Sequence, residues 1–153
     1  MPSPCPVGFG IAPFDSVWYP HEMLRTHSWA LTAATATATE RIQVCSVGTN
    51  PWSRHPAQIV AFLATLDSLS NGRAALGLGI HTTEHLAWVG VDVGDYVQGT
   101  REAYEIIRTL LRGDGPAYEG DVFRLTDQAT SGSRPLVPTC RSTYARSARS
   151  TSS

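Results

Sequence analysis

Four short stretches of this chain carry side chains able to do chemistry. His21-Glu22 follows Trp18-Tyr19-Pro20. It couples a group that titrates near neutrality to a carboxylate; the plainer reading is an exposed turn at a strand end. Cys45-Ser46-Val47-Gly48-Thr49-Asn50 combines a thiol, hydroxyls, an amide and a bare glycine backbone. Arg54-His55 stands just before Pro56, where a helix N-terminus and a guanidinium would form a generic anion site or only solvated caps. His81-Thr82-Thr83-Glu84-His85 spells H-x-x-E-H. In that pattern two histidines one helical turn apart bind zinc and the glutamate acts as base. Here His81 directly follows Gly79-Ile80, and no helix downstream offers a third ligand, so no metal site is expected. His81 is kept as a candidate proton donor. Trp52 and Trp88 could line a pocket or anchor local packing. Cys45 lies in an apolar run and is expected to be inert core.

The elements that must position these groups are clearest between Arg41 and Gly79. Ile42 to Gly48 is an apolar, β-branched run suited to a buried strand. Pro56 fits a first helical position, where its missing N–H costs nothing. Ile59, Phe62, Leu63, Leu66 and Leu69 recur at helical spacing and predict one apolar face. Asn71-Gly72 supplies a left-handed stop. Ala74 to Gly79 reads as a second strand, apolar on both faces. Two buried strands joined by a crossover helix predict a parallel βαβ unit and the α/β class. Ligands of such sheets lie beyond the carboxyl ends of the strands. Those ends are Val47 to Asn50 and Gly79 to Thr83.

Elsewhere, Phe14 to Tyr19 predicts a strand ended by Pro20, and Pro6 to Pro13 a shorter one before it. Ser28 is expected to cap a helix running to about Glu40. Its alternating alanines and threonines also suit a strand, but alanine favours the helix. One helical turn is expected near Glu84 to Trp88. Thr100 is expected to cap a helix from Arg101 to Arg112, with Ala103, Ile106, Ile107, Leu110 and Leu111 inward and an Arg101–Glu105 pair outside. Gly113 ends it. Ala117 to Leu125 predicts a small hairpin turning at Glu119-Gly120.

The chain has 153 residues, 42% hydrophobic and 16% charged, with a net charge of −1. That is a globular profile with no electrostatic pull towards nucleic acid or anionic membrane. No run approaches the roughly 18 apolar residues of a membrane span. Three cysteines without metal or redox spacing fit a reducing, cytoplasmic setting. Residues 1–128 are read as the folded unit. Residues 129–153 form an irregular tail, arginine-bearing and almost without apolar periodicity, either disordered or out of frame after Pro138.

Several segments together resemble one family. They are FDSVW (Phe14 to Trp18), TERI (Thr39 to Ile42), TNPWSRHP (Thr49 to Pro56), ATLDSLSNGRAALGLG (Ala64 to Gly79) and TREAYEIIRTLLRG (Thr100 to Gly113). YEGDVFRL (Tyr118 to Leu125) and RPLVP (Arg134 to Pro138) also fit. In order and spacing the chain resembles the bacterial luciferase-like flavin and deazaflavin oxidoreductases. The members that use coenzyme F-420, such as the methylenetetrahydromethanopterin reductase-like enzymes, are the most similar.

The resemblance implies a TIM (β/α)8 barrel. Such a barrel needs about 200–250 residues, so the match is to roughly its first half. A partial barrel would leave an unpaired strand edge and apolar faces, open to a homodimer or a completing partner. The implied activity is hydride transfer between a deazaflavin and a small-molecule substrate, with little activity for the chain alone; the alternatives are an FMN-dependent monooxygenase fragment or a non-catalytic remnant that self-associates. The implied catalytic residues are His21, Glu22 and His81. The family usually has the acid before the histidine, whereas here the order is His21-Glu22. The implied cofactor contacts are Trp18, Ser46, Val47, Gly48, Thr49, Asn50 and Gly79. A strand-end bulge, with a cis peptide at Val47–Gly48, would support the ring from behind.

Overall fold

The structure, a computed structural model, describes residues 14–22, 24–79, 83–113 and 117–126. The strand expected within Pro6 to Pro13, the candidate His81 and the tail from Ala129 lie outside these residues. The described chain runs β1 (Ser16–Pro20), α1 (Ser28–Ala38), β2 (Gln43–Thr49), α2 (Pro56–Ser70), β3 (Ala74–Leu78), α3 (Thr83–Ala87), α4 (Tyr96–Arg112), β4 (Tyr118–Glu119) and β5 (Arg124–Leu125). The first three strands form one parallel sheet in the order β1-β2-β3. The last two form an antiparallel hairpin. The sheet is open, with no barrel closed among the described residues.

The crossover helix forms where its punctuation predicts. Pro56 occupies the first turn of α2, and Asn71 ends it at φ 56°, in the left-handed region. Its buried face holds Ile59, Val60, Leu63, Ala64 and Leu66. Leu69 is 47% exposed and drops off the expected stripe. Phe62 stays partly covered and stacks flat on Trp29 of α1, with ring centroids 4.2 Å apart.

Two predicted caps are corrected. Ser28 is the first residue of α1, not its cap; His27 holds that position. Thr100 lies inside α4, whose cap is Asp95, with its carboxylate accepting from the Val97 and Gln98 N–H groups at 3.0 Å. Gly94 and Gly99 disguised this first turn as loop. Gly99 is tolerated because Trp52 packs where a side chain would stand: an added Cβ would lie 2.5 Å from its ring. Glu105 does not pair with Arg101; it accepts from the Tyr118 hydroxyl at 2.8 Å.

Register fixes which sheet face meets the helices. Val17 pairs with Val44, Tyr19 with Ser46, and Ser46 in turn with Leu76. Val44 packs with Ala36 and Leu66, and Leu76 with Ile59 and Val60. This is the helix-covered face. The alternating row Trp18, Cys45 and Ala75 therefore points to the other side. Trp18 there is 43% exposed. β3, expected to be fully buried, is only partly buried along its whole length. Among the described residues it pairs on one edge only, which leaves the other edge open.

At the amino end of the sheet Arg73 ties three elements together. Its guanidinium donates to the Ala36, Thr39, Ile42 and Ser70 carbonyls at 2.6–2.9 Å. It thereby satisfies carbonyls that the end of α1 leaves unpaired. At the other end of the molecule Glu102 anchors the hairpin. It is 1% exposed, and its carboxylate accepts from the N–H groups of Asp121, Val122 and Phe123 at 2.9–3.0 Å. No helix among the described residues is long and apolar enough to cross a membrane.

Candidate functional site

The carboxyl ends of β1, β2 and β3 meet. His21, the residue after β1, donates its backbone N–H to the Val47 carbonyl at 2.7 Å. Gly79, the residue after β3, donates to the Thr49 carbonyl at 3.0 Å. Between these anchors β2 bulges, and its register against β3 shifts between Ser46 and Thr49. The bulge turns on Gly48, whose φ of 69° favours glycine. The Val47–Gly48 peptide is trans, so the expected cis bond is corrected. The extra residue is accommodated by a left-handed glycine instead.

Gly77 makes the bulge possible. It faces Val47 so closely that an added Cβ would lie 2.8 Å from Val47 Cγ2 and 3.1 Å from its Cα. Gly79 looks onto open space, with nothing within 4 Å of its missing Cβ. Val47 and Gly48 remain partly accessible, while Thr49 and Asn50 are buried.

Beneath the bulge runs a buried chain of polar side chains. His21 Nδ1 meets Ser28 Oγ at 3.2 Å, Ser28 meets Ser46 Oγ at 3.2 Å, and Ser46 meets Thr49 Oγ1 at 3.0 Å. His21 is 5% exposed, and Ser46 and Thr49 are fully buried. Asn50 Oδ1 accepts from the Ser53 N–H at 2.8 Å, forming an Asx turn. The hydroxyls and amide thus hold the bulge from within the chain. Ser28 is the member that sequence reasoning missed, because a serine before a helix reads first as a cap.

A cavity of about 340 Å³ opens beside this strand-end cluster. His21, Glu22, Arg25 and Arg54 supply its polar wall, and Trp52, Val89 and Val91 its apolar wall. Glu22 and Arg25 pair at 3.4 Å, with Arg25 82% exposed, a geometry that contributes little. Trp88, proposed as a pocket residue, is 66% exposed and lies tilted against His85, with ring centroids 4.6 Å apart. Trp18 bonds Ser16 through its indole N–H at 2.9 Å. It stands on the sheet face away from the helices, outside the His21–Thr49 chain. His55 caps α2, its Nδ1 accepting from the Ala57 N–H at 3.2 Å. No group of three or more metal-ligating side chains occurs among the described residues.

Burial pushes the Cys45 thiol up to about 12, against a smaller lowering by the Gly77 backbone. Thiolate is then scarce at neutral pH. Alkylation of the folded chain at pH 8 should leave the Cys45 peptide unmodified by mass spectrometry. Labelling as fast as in urea would contradict this burial.

Comparison with known proteins agrees with this architecture. A profile described as luciferase-like monooxygenase matches residues 12–144. The 5,10-methylenetetrahydromethanopterin reductase of Archaeoglobus fulgidus is 29% identical over 111 residues, covering 72% of this chain and 33% of that protein. The chain spans about a third of the length of such curated relatives. Among solved structures, the coenzyme F-420-dependent tetrahydromethanopterin reductase of Methanopyrus kandleri aligns with TM-score 0.67 at 24% identity, over 74% of this chain and 37% of that one. The oxygenating constituent of 3,6-diketocamphane monooxygenase from Pseudomonas putida, in complex with FMN, aligns with TM-score 0.65 at 19% identity, over 72% and 33%. The fold shared with these structures is the TIM barrel, of which the described residues form an open part.

Proposed function

The chain belongs to the luciferase-like monooxygenase family, and on that ground we propose that it is the amino-terminal part of a coenzyme F-420-dependent oxidoreductase. The observation that carries this reading is the glycine-hinged bulge at the end of β2, set between His21 and Gly79. A flat ring needs backbone that it can approach without meeting side chains. Gly48 and the open space at Gly79 supply that. Val47, Gly48 and Gly79 would hold the ring, with Ser46, Thr49 and Asn50 bracing the bulge behind it.

A deazaflavin supplies hydride transfer when bound. The chain's own part is positioning. His21, held by Ser28 and by the Val47 carbonyl, presents an imidazole to the cavity and can give or take a proton there. Glu22, beside it, is tied to Arg25. Trp52, Val89 and Val91 give the substrate an apolar wall. TIM-barrel phosphate sites usually follow strands seven and eight. The described residues supply only a three-stranded parallel sheet, so the chain alone is expected to bind cofactor weakly and not to turn over. A completing polypeptide would restore the remainder, and a second copy would cover the open strand edge.

Parallel titrations of the purified chain with F-420 and FMN test the choice of cofactor. F-420 is expected to bind more tightly, without steady-state reduction. Tighter FMN binding would favour a monooxygenase, the second reading that an FMN-bound relative supports. Sustained F-420 turnover by the chain alone would overturn the expected inactivity.

A further inference from the structure

Arg54 lines the cavity as a cation without a counter-charge among the described residues. Its guanidinium lies 4.5 Å over the Trp29 ring, and Trp29 stacks on Phe62 at 4.2 Å with an interplanar angle of 2°. The three planes come from the loop before α2, from α1 and from α2. One nitrogen, Nη2, bonds His27 Nε2 at 2.5 Å. That imidazole stands edge-on to Trp29. Arg54 makes no ion pair among the described residues, and among them Glu22 is the carboxylate on the cavity wall, loosely paired with the exposed Arg25 at 3.4 Å. Beside it Ser53 Oγ, on the same wall, is buried without a hydrogen-bond partner among the described residues. A planar donor fork held by two stacked rings keeps its orientation before any ligand arrives. Such a fork matches a carboxylate or phosphate.

We propose that Arg54, with Ser53 beside it, is the anchor for an anionic group on the substrate, a carboxylate or phosphate whose apolar part rests on Trp52, Val89 and Val91. The cavity of about 340 Å³ is the size of a small organic molecule. The proposal deepens the oxidoreductase reading and rests on it for the word substrate. The anion site itself does not depend on which cofactor binds.

Benzoate and its neutral analogue benzamide, titrated against the full chain at constant ionic strength, test it. Benzoate is expected to bind at least about tenfold more tightly than benzamide, the scale of a charge-assisted hydrogen-bond pair. Arg54→Gln should remove that preference and leave benzamide affinity unchanged. Arg54→Lys should keep part of it, since the charge stays while the fork is lost. Melting curves of both variants report whether the stack survives; if Arg54→Gln does not fold, the Arg54→Lys comparison decides. Equal binding of the two probes by the parent chain would overturn the site, as would a benzoate preference unchanged in the folded variants. A parallel fall in F-420 affinity on Arg54→Gln would assign the anion to the cofactor and overturn the substrate assignment. Failure of F-420 and FMN to bind, with benzoate preference intact, would sink the cofactor reading alone.

Discussion

Replacing Glu102 by alanine is expected to cost about 3–5 kcal/mol, since each buried donor left without an acceptor costs about 1–3 kcal/mol. Each carboxylate oxygen accepts two bonds: Oε1 from Gln98 and Asp121, Oε2 from Val122 and Phe123. Alanine would leave three consecutive backbone donors without an acceptor. The turn residue Gly120 is fitted to the same group, since a Cβ there would collide with the carboxylate. Glutamine keeps the shape but fails in either orientation, because its NH2 would face at least one backbone donor. It is expected to cost about 2 kcal/mol or more. Denaturant melts of both variants check the pair, and a loss within 0–1 kcal/mol (about the value of an exposed contact) would remove Glu102 as the anchor.

The same group sets a pH dependence. Desolvation pushes the Glu102 carboxyl up, but its hydrogen bonds from Phe123, Val122, Gln98 and Asp121 outweigh this and hold it below its ordinary range. A lowered folded value means that the ionised form is favoured by folding. The stabilisation is complete above the unfolded value of about 4.3. It is lost as the pH falls through the lower folded value. Glu102→Gln should therefore flatten the acid limb of the stability curve.

The second large effect is expected at Gly77. Valine there would be driven into Val47, whose Cα already lies 3.1 Å from the position of an added Cβ. The bulge must move, at about 1–3 kcal/mol for overpacking. Cofactor affinity should fall at least about tenfold if the bulge carries the ring. Gly79→Ala separates the two effects. Its Cβ meets nothing within 4 Å, so the melting temperature should hold while cofactor affinity falls. If both variants bind cofactor as the parent does, the ring lies elsewhere.

The βαβ core was legible because its signals are local. Pro56 and Asn71-Gly72 punctuate α2, and the apolar runs on either side are short and β-branched. The start of α4 was hidden because Gly99 reads as a helix breaker until the Trp52 ring is seen in its place. The threonines of α1, ambiguous by propensity, settle into helix by bonding back: Thr32 to the Ser28 carbonyl at 2.6 Å and Thr37 to that of Ala34 at 2.9 Å. The site was legible in part. Residues at strand ends could be named, and His21, Val47, Thr49 and Gly79 do meet through backbone bonds. The Ser28–Ser46 link spans eighteen residues and the Arg54–Trp29–Phe62 stack more. Pairings at that range follow from how helices pack on the sheet, which no local pattern encodes.

Amide hydrogen exchange, with and without saturating F-420, tests the central claim that the β2 bulge is the cofactor platform. Added protection is expected at His21, across residues 46–49 and at Gly79, with none in the hairpin at 118–125. Saturable F-420 binding that leaves exchange at residues 46–49 unchanged would contradict it.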